Sequence, residues 1–323
     1  MLKKILKWTG IVLLSLFVIL AITVSTRQNL KFEAPYPAIE ASADSSIVAR
    51  GRHLVYGPAH CADCHYSQAD KEKAMKGEPV SLSGGMAFKL PIATIYTKNI
   101  TPDPETGIGK MTDAQIARLL RYGVRPDGTA VFDFMPFHNM TDEDMTAVIS
   151  FLRSQQPVKY KVPDHEFFMM GKVVKAFLIK PVGPQGEVAK SIRPDTTAAY
   201  GGYLANSVAN CAGCHTNRNP MTGAFVGEPF AGGLYMESET DPKNYYLLTP
   251  NLTPDSTGRL FGWSQEQFLN RFRQGKIIPH SPMPWNSFGR MNDEELKAIY
   301  KYLQTVKPVK NEIKHALNKV ESK

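Results

Sequence analysis

The stretches HCADCHYSQAD and NCAGCHTNRNP each place two thiols and an imidazole within five residues: Cys61, Cys64 and His65, then Cys211, Cys214 and His215. The chain's four cysteines all lie in these stretches, so no thiol remains for a separate disulfide or a nucleophile. Three chemistries use cysteines at this spacing. A structural zinc site closes four ligands around one ion, with ligand pairs roughly 12–20 residues apart, whereas these pairs lie about 150 positions apart. A thioredoxin-like pair follows a strand in a βαβ unit and needs no adjoining histidine. Covalent haem attachment does need one, because two thioethers hold the porphyrin and the next His becomes the proximal iron ligand.

The elements that must position these groups are duplicated with them. Overlaying Cys61 on Cys211 brings Gly51 onto Gly201, Leu54 onto Leu204 and Ala59 onto Ala209. NITPDPETGIG from Asn99 then meets NLTPDSTGRL from Asn251, and RYG at Arg121 meets RQG at Arg273. FMPFHN pairs with PMPWNS, and AVISFLRSQQPVK with AIYKYLQTVKPVK, at an offset drifting only between 148 and 152. Self-similarity at one offset means two copies of one domain, here 45–160 and 196–310, each of ordinary small-domain size. Thr112 with Gln115 and Ser264 with Gln267 have capping-box spacing, and Gly123 and Gly275 stop the helices that follow. Met145, Val148, Ile149 and Leu152, then Leu296, Ile299, Tyr300 and Leu303, predict an amphipathic last helix in each copy. No stretch alternates as a strand, so the expected fold is mainly α.

Haem iron takes a second axial ligand, and a thioether there raises the potential and blocks substrate access. Met135 and Met283, each followed by Pro and an aromatic, stand before the last helix of each copy. They are the expected sixth ligands, against the commoner fate of Met as core filler. Met140 and Met291 read as non-equivalent positions. His53, His60 and His138 do not recur in the second copy, which points to packing or surface roles; His138 is the nearest competitor of Met135. Arg121 and Arg273, with Asn99, Thr101, Asn251 and Thr253, are candidates for the haem propionates. Helix-end charge and turn chemistry are the plainer alternatives for them.

The combination of CADCH and CAGCH, the N-x-T-P-D loops, RYG and RQG, and FMPF and PMPW resembles the class I c-type cytochromes. The likeness is to the tandem form found in cytochrome subunits of membrane-bound bacterial dehydrogenases. Those subunits usually carry three haem motifs where this chain has two. The resemblance implies two tandem cytochrome c domains and two covalently bound haem c groups. Ligation would fall to Cys61, Cys64, His65 and Met135, and to Cys211, Cys214, His215 and Met283. It also implies redox protein partners, whether a dehydrogenase, an oxidase or a small cytochrome. The rival is a dihaem enzyme, a peroxidase or thiosulfate-oxidising cytochrome, which needs unusual or displaceable ligation at one iron. Equivalent Met-Pro motifs in both copies argue against that rival, and with no Rossmann fingerprint, P-loop or flavin motif any substrate oxidation would belong to a partner. The chain reads as an electron carrier, alternatively as the electron-transfer subunit of a dehydrogenase complex.

Residues 1–26 hold Lys3, Lys4 and Lys7 ahead of an apolar run from Trp8 to Val24, with no small-x-small cleavage site. This reads as a retained transmembrane helix more than a signal peptide. The lysines keep its start cytoplasmic, so the haem domains would face the periplasm from the cell inner membrane. Five of the basic residues behind the formal charge of +8 fall in residues 1–31, and no basic–aromatic stripe suggests nucleic acid. Between the copies, 161–195 reads as a linker whose apolar middle, 167–179, is too short to span a bilayer; packing between the domains is the favoured role, and lying on the membrane or a partner the alternative. The lysine-rich tail 311–323 reads as a solvated end.

Overall fold

The computed structural model describes residues 1–219 and 223–320. Helix α1 (Leu2–Arg27) buries no residue, touches the body at its C-terminal end, and is long and apolar enough to cross a membrane. The first copy contains α2 (Ser45–Tyr56), α3 (Ala62–His65), α4 (Lys71–Met75), α5 (Asp113–Tyr122) and α6 (Asp142–Ser154). After α7 (Met169–Phe177), the second copy contains α8 (Ala198–Tyr203), α9 (Cys211–His215), α10 (Gln265–Arg273), α11 (Trp285–Phe288) and α12 (Asp293–Leu303).

Each copy is built on one helix crossing, α2 on α6 and α8 on α12. The periodic residues of the last helices meet there: Met145, Ile149, Leu296 and Leu303 are fully buried, as are Leu54 and Leu204 opposite them. The crossing requires glycine. A Cβ on Gly51 would lie 1.8 Å from the Ala147 carbonyl oxygen, and one on Gly201 would lie 1.9 Å from that of Ala298. Both expected capping boxes form, and Asn292 with Glu295 adds a third. Gly123 closes α5 in the left-handed region, and Gly275 follows α10 there.

The fold is mainly α, with one departure from the sequence reading. Each copy carries a three-stranded antiparallel sheet: β1 (Ala87–Leu90), β2 (Ala93–Tyr96) and β3 (Glu166–Phe167), then β4 (Tyr235–Glu237), β5 (Tyr245–Leu248) and β6 (Leu317–Lys319). The third strand of each comes from sequence assigned to the linker and the tail. Within the tail 311–323, Leu317–Lys319 pair with β5 while Leu317 and Lys319 stay exposed, so the end is solvated but not unstructured; 321–323 lie outside the described residues. The strands are too short for alternation to show.

The two copies share one continuous apolar core, and a polar cluster lies between them. Arg50 on α2 grips Asp144 through Nε at 2.9 Å and Nη2 at 3.2 Å, Glu295 through Nη1 at 3.1 Å, and the Tyr200 hydroxyl at 3.2 Å. His53 bonds Glu295 at 2.8 Å, and its repeat counterpart Tyr203 donates to Asp144 at 2.7 Å. The non-recurring His53 is thus an interdomain contact. The apolar linker segment, expected between the domains, instead packs on the end of α1 and on the β1–β2 turn.

Candidate functional site

The helix preceding each cysteine motif ends in a turn that reverses the chain at His60 and Asn210. Both adopt the left-handed region, with φ of 40° and 51°. Asn and His are both enriched there among non-glycine residues, so the shared turn accounts for the position in both copies and gives His60 a turn role rather than a ligand role. His60 Nδ1 sits 3.2 Å from the Pro58 oxygen, and its ring packs edge-on against Phe288. The motif then coils into one short helical turn, α3 or α9, which places both thiols and the imidazole along one stretch.

All four thiols are free of disulfides. Burial, and then each neighbouring thiol of the pair, pushes Cys61 and Cys211 up to about 12. Thiols held protonated are poor nucleophiles and poor exchange catalysts, so redox-pair chemistry does not suit them. The two histidines are held alike. His65 Nδ1 lies 2.7 Å from the Lys98 carbonyl oxygen, and His215 Nδ1 lies 3.0 Å from that of Pro250. A ring that donates through Nδ1 has its tautomer fixed and its Nε2 lone pair free for a metal. Burial lowers the pKa of both rings and keeps them neutral, as a metal ligand must be. Gly84 N–H and Gly232 N–H bond the His65 and His215 carbonyls at 2.8 Å in each copy, a repeat of the Gly-Gly pairs that sequence comparison passed over.

The Met-Pro-aromatic segments also share a geometry. The amide of Phe137 donates to the Met135 carbonyl at 2.8 Å, and that of Trp285 to Met283 at 2.8 Å. Pro284 sits at φ −76°, ψ 62°, the inverse γ-turn, whose φ the proline ring presets. Met135 and Met283 are both partly buried against the core. One sequence inference about these loops is corrected. Met140 and Met291 are equivalent, since Arg121 and Arg273 donate to their respective carbonyls at 2.8 Å. The extra turn α11 in the second copy hid the correspondence. These two methionines are core side chains, at 1% and 2% exposure. His138 has both ring nitrogens engaged, by the Arg121 carbonyl at 3.0 Å and Asp133 at 2.8 Å, which removes it as a rival to Met135.

The propionate candidates mostly have protein partners. Asn99 donates to the Val158 carbonyl and Asn251 to Val309, each at 2.8 Å; Thr101 and Thr253 receive the amides of the same valines at 3.1 Å. N-x-T-P-D is therefore a clip that holds the chain leaving each last helix. Arg121 and Arg273 fasten the methionine loops and pair with Asp142 and Asp293 at 2.7 Å. Arg121 Nε nevertheless stays buried without a partner among the described residues, and a residue the sequence did not flag is open in the same way. Arg271 lies 3.6 Å over the Trp285 ring, with Nη2 buried and without a protein partner.

The two sites touch. Asp63, between the first pair of cysteines, accepts a 2.8 Å bond from Ser287, just past Met283, and Asn286 bonds the Met75 carbonyl. Free paired thiols, a neutral imidazole with one open nitrogen, a thioether on a preset turn and, in the second copy, a guanidinium with Nη2 open while Nη1 holds the Gly275 carbonyl at 2.8 Å fit a haem c group.

The family model described as Cytochrome c matches residues 48–156 and 199–307. The cytochrome c subunit of the quinone alcohol dehydrogenase of Gluconobacter oxydans is 31% identical over 83% of this chain, which spans 56% of that relative. The cytochrome subunit of the fructose dehydrogenase of Gluconobacter japonicus is 26% identical over 86% of this chain and 56% of its own length. A dihaem c-type cytochrome of Cereibacter sphaeroides is 24% identical over 80% of this chain and 85% of its own. The chain spans about half the length of the alcohol dehydrogenase subunits it matches. With both copies matched and both built on the same helix crossing, the chain belongs to the cytochrome c family as two such domains in tandem.

Proposed function

We propose that this chain is a membrane-anchored dihaem electron carrier, held in the cell inner membrane by α1 with both domains on the periplasmic side. Cys61 and Cys64 would carry one haem c and Cys211 and Cys214 the other, with His65 and Met135, then His215 and Met283, as axial ligands. Such a group supplies a one-electron iron couple when bound. The chain's own residues hold the rings in one tautomer through the Lys98 and Pro250 carbonyls, and present the methionines on proline-set turns. A thioether at both sixth positions favours electron transfer and closes the iron to peroxide or sulfur substrates, so the equivalence of the two loops speaks against the enzymatic rival.

One observation carries the reading above the others: the Asp63–Ser287 bond seats the first cysteine turn against the second methionine loop. Haems held by these groups would sit in neighbouring domains joined by a direct side-chain contact, across which an electron would pass. Relatives named as subunits of alcohol, fructose and gluconate dehydrogenases support a dehydrogenase as the electron donor.

Replacing Met135 with Ala tests the ligation. Redox titration should show one haem moved to lower potential and binding carbon monoxide, with the other unchanged. Met140→Leu, a core change, should leave both potentials in place. Spectra of Met135→Ala identical to the parent would contradict the assignment.

A further inference from the structure

Helix α7 is turned the wrong way round for a water-facing surface. Its buried residues are Gly171, against the Ile92 carbonyl, and Ala176. Lys175 also turns toward the protein, with Nζ 3.1 Å from Asn29 Oδ1 and 5.0 Å from the Phe167 ring centre. The large apolar side chains point out: Met169 is 82% exposed, Met170 62% and Leu178 65%, with Phe168 and Phe177 exposed beside them. A surface helix in water places its apolar stripe inward, and a cluster of exposed large apolar groups marks a surface that something covers.

Position identifies the cover. α7 packs against the end of α1, with Arg27 over the Phe177 ring at 5.4 Å. The segment leaving α1 is fastened to the first domain by buried Arg118, which donates to the Phe32 and Ala34 carbonyls at 3.2 and 3.0 Å and stacks on Tyr36. The exposed face of α7 therefore lies at a fixed place beside the point where α1 ends. Residues 167–180 carry three lysines and no acidic group, and Arg27 and Lys31 add to them.

Resting on the anchor reading, we infer that α7 is a second membrane element: an interfacial helix that lays Met169, Met170, Phe177 and Leu178 into an anionic bilayer surface. Apolar side chains enter the headgroup boundary while the exposed Lys172 and Lys180 meet lipid phosphates. The first domain is thereby held against the membrane. A stack of rings, Phe167 to Phe132 to Phe134 at 5.9 Å each, runs from β3 to the residue beside Met135, so the first methionine loop lies on the membrane side.

Since thioether formation consumes all four native cysteines, a new one is a unique label. Met170→Cys, Leu16→Cys and Tyr235→Cys, each in the full haem-loaded chain, are placed in nanodiscs of phosphatidylglycerol and phosphatidylethanolamine. Each is then treated with a charged maleimide and followed by intact mass. Apolar surroundings suppress the thiolate, so Met170→Cys should react on the order of tenfold or more slowly than Tyr235→Cys, an exposed site on the second domain. Leu16→Cys should be protected as well. Reaction at 170 as fast as at 235, with 16 protected, overturns the inference and leaves the anchor standing. Reaction at 16, or loss of that segment from the measured mass, overturns the anchor and the inference together.

Discussion

Arg50 is the group on which the contact between the two domains turns, and Arg50→Met removes its charge while keeping most of its bulk. Asp144 then loses both arms of a bidentate pair, at 2.9 and 3.2 Å, and retains the Tyr203 hydroxyl at 2.7 Å. Glu295 loses only its 3.1 Å bond and keeps His53 and the Asn292 amide. With side-chain exposures of 8% and 1%, neither carboxylate can recover full hydration. Breaking a buried pair from one side costs about 3–5 kcal/mol. The 24% exposure of Arg50 lets some water in and puts the expectation at the lower end, about 3 kcal/mol. For a unit of this size that corresponds to a fall in melting midpoint of roughly 6–12 °C. The assay is guanidinium unfolding of the haem-loaded protein followed by Soret circular dichroism, with Lys301→Met as an exposed control. Adding Asp144→Asn to Arg50→Met should restore part of the loss, because it removes the stranded charge. A loss below about 0.5 kcal/mol, within the range of ordinary surface substitutions, would refute the reasoning.

Other expectations follow from the same contacts. Burial, then the charges of Lys98 and Arg125, brings His165 down from 6.5 to about 4, so the fold disfavours its charged form. Its contribution is complete above pH 6.5 and declines as the pH falls toward 4. The protection factors for amide exchange at Ala93 and Thr94 in β2, corrected for the intrinsic rate at each pH, should fall over that window, and His165→Gln should flatten the response. Glu295 is held below its ordinary 4.5, because His53 and Arg50 outweigh the opposing effect of burial. Its stabilisation is present above pH 4.5 and lost on further acidification, and Glu295→Gln should weaken that acid-side slope in unfolding titrations. Gly51→Ala and Gly201→Ala each force a Cβ into a backbone oxygen and should cost on the order of 3 kcal/mol or more, visible as a reduced yield of haem-loaded protein. Asn99→Ala or Asn251→Ala leaves the carbonyl of Val158 or Val309 with only the longer bond from the Thr101 or Thr253 hydroxyl, at 3.4 and 3.3 Å, and should cost about 1 kcal/mol, measured by the same unfolding assay.

What was legible in the sequence was local chemistry and its repetition. The cysteine turns, the two capping boxes and the glycine stops depend on residues within a few positions of one another, and all appear where the spacing predicts them. The third strands were not legible. β3 and β6 are two and three residues long, and only pairing with distant β2 and β5 defines them. The equivalence of Met140 and Met291 was hidden by α11, an insertion that shifts the offset inside one loop. Asn99 and Arg121 show a further limit: residue type announces a hydrogen-bonding role, but only the fold shows that the carbonyls of Val158 and Met140 accept bonds from them. His53 could be seen to lack a counterpart, yet Glu295, its partner 242 positions away, could not be guessed from either copy alone.

The central claim is that both cysteine motifs carry haem and that both irons are closed by methionine. The most direct measurement combines intact mass of the denatured full chain with a carbon monoxide titration of the reduced native protein. The account predicts two haem additions, one at Cys61 and Cys64 and one at Cys211 and Cys214, and no carbon monoxide bound at either iron. A single haem addition, or stoichiometric carbon monoxide at one iron, would contradict it.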